Sequence, residues 1–85
     1  MKELHHTVVN QLGMHARPAG LFAKLAKEHH SRIKLFKGEQ SADAVRVLAV
    51  MSMEIKAGDR IRITVDGEDE EEVMQQVREV CEKIL

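Results

Sequence analysis

The residue types best suited to chemistry lie together in residues 13–19, which read Gly-Met-His-Ala-Arg-Pro-Ala. The glycine suits a corner and the proline suits the first turn of a helix, so the segment predicts a helix N-terminus at His15. The first backbone N–H groups of a helix have no partner within it, and the positive end of the helix dipole attracts anions. We therefore predict a phosphate or other anion site formed by His15, Ala16 and Arg17, whose guanidinium adds a fixed positive charge.

At such a position His15 can do more than bind an anion, because a neutral imidazole has a ring nitrogen that can attack phosphorus. A phosphoryl group transferred to the ring would then meet the N–H donors of the helix and the side chain of Arg17. The same residues also fit a plain structural interpretation, in which His15 is an acceptable N-cap and Arg17 is a solvated surface residue. The residues alone leave both interpretations open, since short motifs often match by chance.

A helix over residues 16–28 is predicted to hold the site, because apolar side chains recur along it with the helical period. The stripe that should face the core consists of Ala19, Phe22, Ala23 and Ala26. The opposite face carries basic residues, and we predict that it forms a cationic strip open to an acidic partner. That face contains Arg17, Gly20, Leu21, Lys24 and either Lys27 or Glu28.

Four strands are predicted from alternating apolar residues and turn signals. They cover residues 2–9, 32–36, 40–43 and 60–65. Lys37-Gly38 offers the corner of a hairpin between the second and third strands. The last strand has the clearest alternation, with Ile61, Ile63 and Val65 on one side, which predicts a central position in the sheet.

Two further helices are predicted, a short one of about two turns within residues 44–53 and a long one that follows Asp69. Asp69 and Glu72 have the spacing of a capping box, and an apolar stripe continues over residues 73–84. The order strand, helix, strand, strand, short helix, strand, helix predicts an α+β fold, an antiparallel sheet with all helices on one face. With 85 residues, a single domain over residues 1–85 is expected.

Composition excludes several classes of function. The 13 basic and 14 acidic residues nearly cancel, which argues against a nucleic acid or an anionic membrane as a partner. The single cysteine, Cys81, permits no intrachain disulfide, and its place on a helical apolar stripe favours an inert buried thiol. No signal peptide or membrane-length apolar run is recognised, so we expect a cytoplasmic protein that does not insert into a membrane.

The remaining candidate sites are weaker. The pairs His5-His6 and His29-His30 lack zinc-type spacing, and adjacent side chains diverge on a strand or a helix, so no metal site is expected. No glycine-rich nucleotide loop, motif of paired acid–base carboxylates or Ser/His/Asp arrangement is recognised. We therefore expect no cofactor, and a protein that shares its chemistry with other proteins rather than a self-contained enzyme.

Residues 13–19 closely resemble the phosphorylation-site motif of the HPr family, the histidine-containing phosphocarrier proteins of the bacterial phosphoenolpyruvate-dependent sugar phosphotransferase system. Every position of the segment fits. The similarity extends along nearly the whole chain, because residues 50–53, 56–58 and 67–70 resemble segments found at corresponding places in that family. The resemblance implies an open-faced β-sandwich, in which three helices cover one face of a four-stranded antiparallel sheet.

The resemblance also implies roles for single residues. His15 would take a phosphoryl group on Nδ1 from phosphorylated enzyme I and pass it to the A component of a sugar permease, and Arg17 would assist. Besides Arg17, the positions that resemble the family's docking residues are Lys24, Lys27, Val47, Leu48 and Met51. Packing in the core is the alternative for the three apolar residues and should hold for at least one of them.

One position departs from the family pattern. Arg46 stands where Gram-positive members have a regulatory serine, in a run that reads Val-Arg-Val-Leu-Ala over residues 45–49. Partnership with the serine kinase and with the catabolite-repression regulator is therefore in doubt. The alternative to a transport-chain carrier is a regulatory binding module of the same fold, which acts by docking to an enzyme or a regulator. The sequence does not indicate which sugar or acceptor is served.

Overall fold

The computed structural model describes residues 1–85 as four strands and three helices. Their order is the predicted one. In chain order the elements are β1 (Lys2–Thr7), α1 (Ala16–Glu28), β2 (Arg32–Lys37), β3 (Gln40–Asp43), α2 (Val47–Ser52), β4 (Arg60–Asp66) and α3 (Glu70–Ile84). No helix has the length and apolar character needed to cross a membrane.

The strands form one antiparallel sheet in the order β1-β4-β2-β3, and the helices cover a single face of it. This arrangement is the α+β open-faced sandwich that was predicted. β4 lies inside the sheet between β1 and β2, which confirms its predicted central position, and Ile61, Ile63 and Val65 are fully buried. The predicted hairpin is also present, since Lys37 pairs with Gln40 across a turn at Gly38.

The core lies between the sheet and the helices. In α1 the predicted stripe is confirmed, because Ala19, Phe22 and Ala23 are buried and Ala26 packs against the core from its edge. In α3 the buried residues include Val73, Val77 and Cys81, also as predicted. Burial raises the pKa of the Cys81 thiol to about 11, so that the thiol remains protonated and unreactive near neutral pH.

Two local predictions were wrong. β1 ends at Thr7 rather than at residue 9, because the N–H of Val8 leaves the ladder and donates to Asp59 O at 2.9 Å. The capping box at the start of α3 does not form, and the Asp69 side chain makes no cap hydrogen bond. Its carboxylate instead accepts hydrogen bonds from the Ser31 hydroxyl and the His30 N–H, which lie far away in the sequence.

Candidate functional site

His15 occupies the N-cap position of α1, as predicted. Its backbone is extended, with φ −101° and ψ −173°, and its side chain makes no cap hydrogen bond. The first backbone hydrogen bond of the helix runs from the Ala19 N–H to His15 O at 3.2 Å. The N–H groups of Ala16 and Arg17 therefore have no partner within the chain, and Pro18 has no N–H to satisfy. The N-terminus of α1 therefore carries two free backbone N–H donors directly after His15.

The two ring nitrogens of His15 differ in their surroundings. Nε2 is enclosed by the protein and has no hydrogen-bond partner. Nδ1 is not enclosed in this way, so it is the more open of the two ring nitrogens. The ring thus belongs to the residue directly before the free N–H groups of the helix, and one of its nitrogens is more open than the other.

A close backbone contact holds the chain just before His15. The N–H of Met14 donates to Ile55 O at 2.9 Å, and Met14 is itself buried. Gly13 has φ +63°, and a β-carbon at that position would overlap the same Ile55 carbonyl oxygen. A glycine is therefore required at this position both by the left-handed backbone and by the approach of residue 55. Ile55 could not be predicted from the sequence, because the contact uses its carbonyl group, which every residue type has.

The predicted cationic strip lies on the solvent side of α1. Arg17, Lys24 and Lys27 are all exposed, and none of them forms an ion pair within the chain. The prediction was wrong for Leu21, which is half-buried and lines a groove of about 280 Å³ between α1 and α3. Because its positive charges are uncompensated, this strip can attract an acidic partner surface.

α2 packs against α1 and adds apolar side chains beside the strip. Leu48 is 81% exposed and Met51 is 37% exposed, so both are open to a partner. Val47 is half-buried and packs against the core, as was expected for at least one of the three apolar positions. Arg46 is exposed at the N-cap of α2 and also has no ion-pair partner.

The site is a surface rather than a pocket. The larger of the two grooves in the protein lies between α1 and α3, and Lys24 is the only predicted site residue that lines it. His15, Arg17 and the apolar residues of α2 line neither groove. A half-buried histidine next to free backbone donors, on a helix that carries exposed cations and near exposed apolar side chains of α2, suits transfer of a charged group between two proteins in contact.

Comparison with known proteins agrees with this class of site. The family described as "PTS HPr component phosphorylation site" matches residues 2–83. The phosphocarrier protein HPr of Mycoplasma capricolum is 32% identical over 79 residues, which cover 93% of this chain and 89% of that protein. The chain therefore belongs to the HPr family, the phosphocarrier proteins of the phosphotransferase system.

Solved structures show the same similarity. HPr from Thermoanaerobacter tengcongensis superposes with a TM-score of 0.87 and 32% identity, over 96% of this chain and 92% of that one. The Bacillus subtilis catabolite-repression protein Crh, solved as a domain-swapped dimer, superposes with a TM-score of 0.74 and 28% identity, over 84% of this chain and 82% of that one. The open-faced sandwich is thus shared by carriers and by a protein of catabolite repression.

Proposed function

We propose that this chain accepts a phosphoryl group on His15 from phosphorylated enzyme I and transfers it to the A component of a sugar permease. The observation that carries the proposal is the start of α1, where His15, with Nδ1 as its more open ring nitrogen, directly precedes free backbone donors. Those donors, the N–H groups of Ala16 and Arg17, have no partner within the chain.

In the proposed step, the lone pair of Nδ1 attacks the phosphorus atom held by enzyme I. A nitrogen–phosphorus bond forms, the bond between phosphorus and the donor breaks, and its electron pair returns to the donor. The N–H groups of Ala16 and Arg17, together with the Arg17 guanidinium, then bind the phosphoryl oxygens. The reverse sequence delivers the group to the acceptor, so that the chain is a covalent intermediate and not an enzyme on its own.

Partner docking belongs to the same proposal. Lys24 and Lys27 would steer an acidic surface toward the site, and Leu48 with Met51 would provide the apolar centre of the contact. Val47 would contribute mainly through the packing of α2, because it is half-buried. We also infer a cytoplasmic location, since the sole cysteine, Cys81, is buried and unpaired.

Control by a serine kinase is not part of the proposed function. Arg46 has no hydroxyl group and places a positive charge at the N-cap of α2, the helix that carries the exposed Leu48 and Met51. A phosphoserine would place a negative charge there instead, which would disfavour an acidic partner. Mass spectrometry after incubation with the serine kinase and ATP should show no modification. Stoichiometric phosphorylation of Ser41 or Ser52 would contradict this part of the proposal.

The central test is labelling with phosphoenolpyruvate and enzyme I. We expect one phosphoryl group per chain, labile in acid and stable in base, and we expect His15→Ala to abolish it. His30→Ala is the control, because His30 is exposed and its side chain makes no hydrogen bond in the structure. Undiminished labelling of His15→Ala, or loss of labelling in the control, would refute the assignment.

The second candidate is a regulatory binding module, favoured by the structural similarity to Crh. The two functions differ in what happens to the phosphoryl group after it has been placed on His15. A carrier passes the label from His15 to an A component with full turnover, whereas a module keeps the label and changes its affinity for a target protein. A labelled chain that donates to none of a panel of A components would favour the module.

A further inference from the structure

Residues 54–59, here named the support segment, form the surface on which the loop that carries His15 rests. Three backbone hydrogen bonds join this segment to the loop. They are Met14 N to Ile55 O at 2.9 Å, Val8 N to Asp59 O at 2.9 Å, and Gly58 N to Val8 O at 2.7 Å. The position of His15 therefore depends on the shape of the support segment.

The support segment begins with an unfavourable backbone conformation. Glu54 has φ +53°, and it is the only residue other than glycine with a positive φ. The left-handed region is costly for a residue with a β-carbon, so the segment needs contacts that favour this shape over others. Within the segment, the Asp59 carboxylate accepts a hydrogen bond from the Lys56 N–H at 2.8 Å. That bond closes the turn but leaves Glu54 outside it.

Lys37, at the end of β2, supplies the missing connection. Its Nζ donates to Glu54 O at 2.9 Å and lies 2.9 Å from Asp59 Oδ2. One ammonium group thus joins the strained first residue of the support segment to its last. No other side chain from outside the segment makes a hydrogen bond to it.

We propose that Lys37 is a positioning residue for His15, acting through Glu54 and Asp59 on the support segment and through Ile55 on the histidine loop. The inference rests on the proposed phosphoryl transfer at His15, which it deepens. Lys37 does not touch the transferred group, and its contribution lies in holding the loop in one geometry.

The effect should appear in transfer rather than in stability. The Lys37 and Asp59 side chains are 29% and 30% exposed, and ion pairs at such positions add little to the free energy of folding. Transfer is more sensitive, because a shift of about 1 Å between reacting atoms can cost on the order of a hundredfold in rate. A small relaxation of residues 54–59 is therefore enough to slow phosphorylation.

The decisive variant is Lys37→Met, which keeps the length and apolar stem of the side chain but removes the ammonium group. Lys34→Met is the matched control, because Lys34 lies on the same strand and makes no hydrogen bond or ion pair to the support segment. In labelling by enzyme I, we expect Lys37→Met to lower the saturated rate about tenfold and to leave the half-saturating concentration of enzyme I unchanged. Lys37→Arg should restore most of the rate.

A second measurement reports on position without any transfer. The ring signals of His15 in NMR spectra should shift or broaden in Lys37→Met and stay unchanged in Lys34→Met. Asp59→Asn should change the His15 ring signals less than Asp59→Ala, because the amide oxygen of asparagine can still accept the hydrogen bond from the Lys56 N–H. If Lys37→Met fails to fold, Lys37→Gln, which removes the charge that pairs with Asp59, is measured in its place, and a labelling rate equal to that of Lys34→Met would overturn the role of Lys37.

The outcomes separate this inference from the function on which it rests. Absence of labelling in the unaltered chain would refute the proposed function. Normal labelling together with equal rates in Lys37→Met and Lys34→Met would overturn the role of Lys37 alone. A change confined to the half-saturating concentration would also overturn it, since that result indicates docking rather than positioning.

Discussion

The two long helices begin in opposite electrostatic surroundings. α3 starts with Asp69 at its N-cap and three glutamates in its first turn, whereas α1 starts with His15 and has no acidic residue there. At α3 the chain's own carboxylates compensate the positive end of the helix, and Glu70 accepts a hydrogen bond from the Gly67 N–H at 3.2 Å. At α1 the free donors and Arg17 leave the positive end uncompensated.

This difference indicates that the start of α3 contributes to stability, whereas the start of α1 is left available for a ligand. A side-chain cap is worth about 1 kcal/mol, and neither α1 nor α3 has one. The Asp69 carboxylate instead ties the start of α3 to the connection between α1 and β2 through Ser31 and His30. We infer that the open start of α1 is the one that awaits an anion.

Ala16→Asp should make the start of α1 resemble that of α3. Near a protein surface, the repulsion between a carboxylate and a negative phosphoryl group about 4 Å away is about 4 kcal/mol. Labelling of His15 should therefore slow at least a hundredfold. The melting temperature should not fall, because an acid in the first turn favours the helix. Ala16→Asn is the neutral control. Equal labelling rates for the two variants would show that charge at this helix end is irrelevant.

Arg17→Ala should lower the saturated rate of transfer about tenfold, because it removes a charge-assisted hydrogen bond to the phosphoryl oxygens. Rapid-quench kinetics with excess enzyme I measures this rate. Arg78→Ala on α3 is the control, since Arg78 is also an exposed helical arginine but lies on the other long helix. The same loss in both variants would rule out a specific role for Arg17.

Ser31→Ala should affect the start of α3 and leave the start of α1 unchanged. It removes the buried hydroxyl that donates to Asp69 and should lower the free energy of unfolding by about 1 kcal/mol. Urea titration measures this loss. Labelling of His15 should proceed at the unaltered rate, because Ser31 lies beyond the C-terminal end of α1 and its hydroxyl donates to Asp69. A slower rate in the folded variant would mean that the ends are coupled.

Lys24→Ala should raise the half-saturating concentration of enzyme I about threefold and leave the saturated rate unchanged. Added salt should reproduce the effect in the unaltered chain, since it screens the same attraction. Lys34→Ala, on the sheet, is the control. A fall in saturated rate as large as that of Arg17→Ala would contradict the division between docking and chemistry.

Lowering the pH should weaken the contact of Asp69, at the start of α3, with Ser31 and His30. The hydrogen bonds from Ser31 and then from the His30 N–H hold the pKa of Asp69 below its ordinary value of 3.8. Because the folded-state pKa is the lower one, the stabilisation is complete above that ordinary value and is lost as pH falls through the folded-state pKa. The difference in melting temperature between the unaltered chain and Asp69→Asn should therefore shrink below about pH 4. A constant difference for Asp69→Asn across this pH range would refute the assignment.

Local pattern was sufficient to predict much of the fold. α1 begins and ends at the predicted residues, 16 and 28, because a glycine corner, a first-turn proline and an apolar stripe all act within a few residues of one another. β3 also has its predicted bounds, and β4 extends one residue beyond them. The predicted N-cap position of His15 rests on the same short-range signals.

The errors concern side-chain and backbone groups whose partners are distant in the sequence. Asp69 has the spacing of a cap, yet its carboxylate bonds to residues 38 and 39 positions away. Position in the sequence cannot show which of two acceptable partners a carboxylate will choose, because the choice depends on which donors the folded chain brings near. The support beneath His15 was missed for the same reason, since Ile55 acts through its carbonyl group.

By itself, the sequence determined the element order, the apolar faces and the placement of a histidine at a helix start, since these follow from periodicity and helix-end chemistry over short spans. The tertiary structure decided which ring nitrogen of His15 is enclosed and which carboxylates leave their helix for another element. It also decided that Lys37 reaches the segment under the histidine loop. The physical reason is that enclosure and long-range hydrogen bonds exist only once the sheet has brought distant segments together.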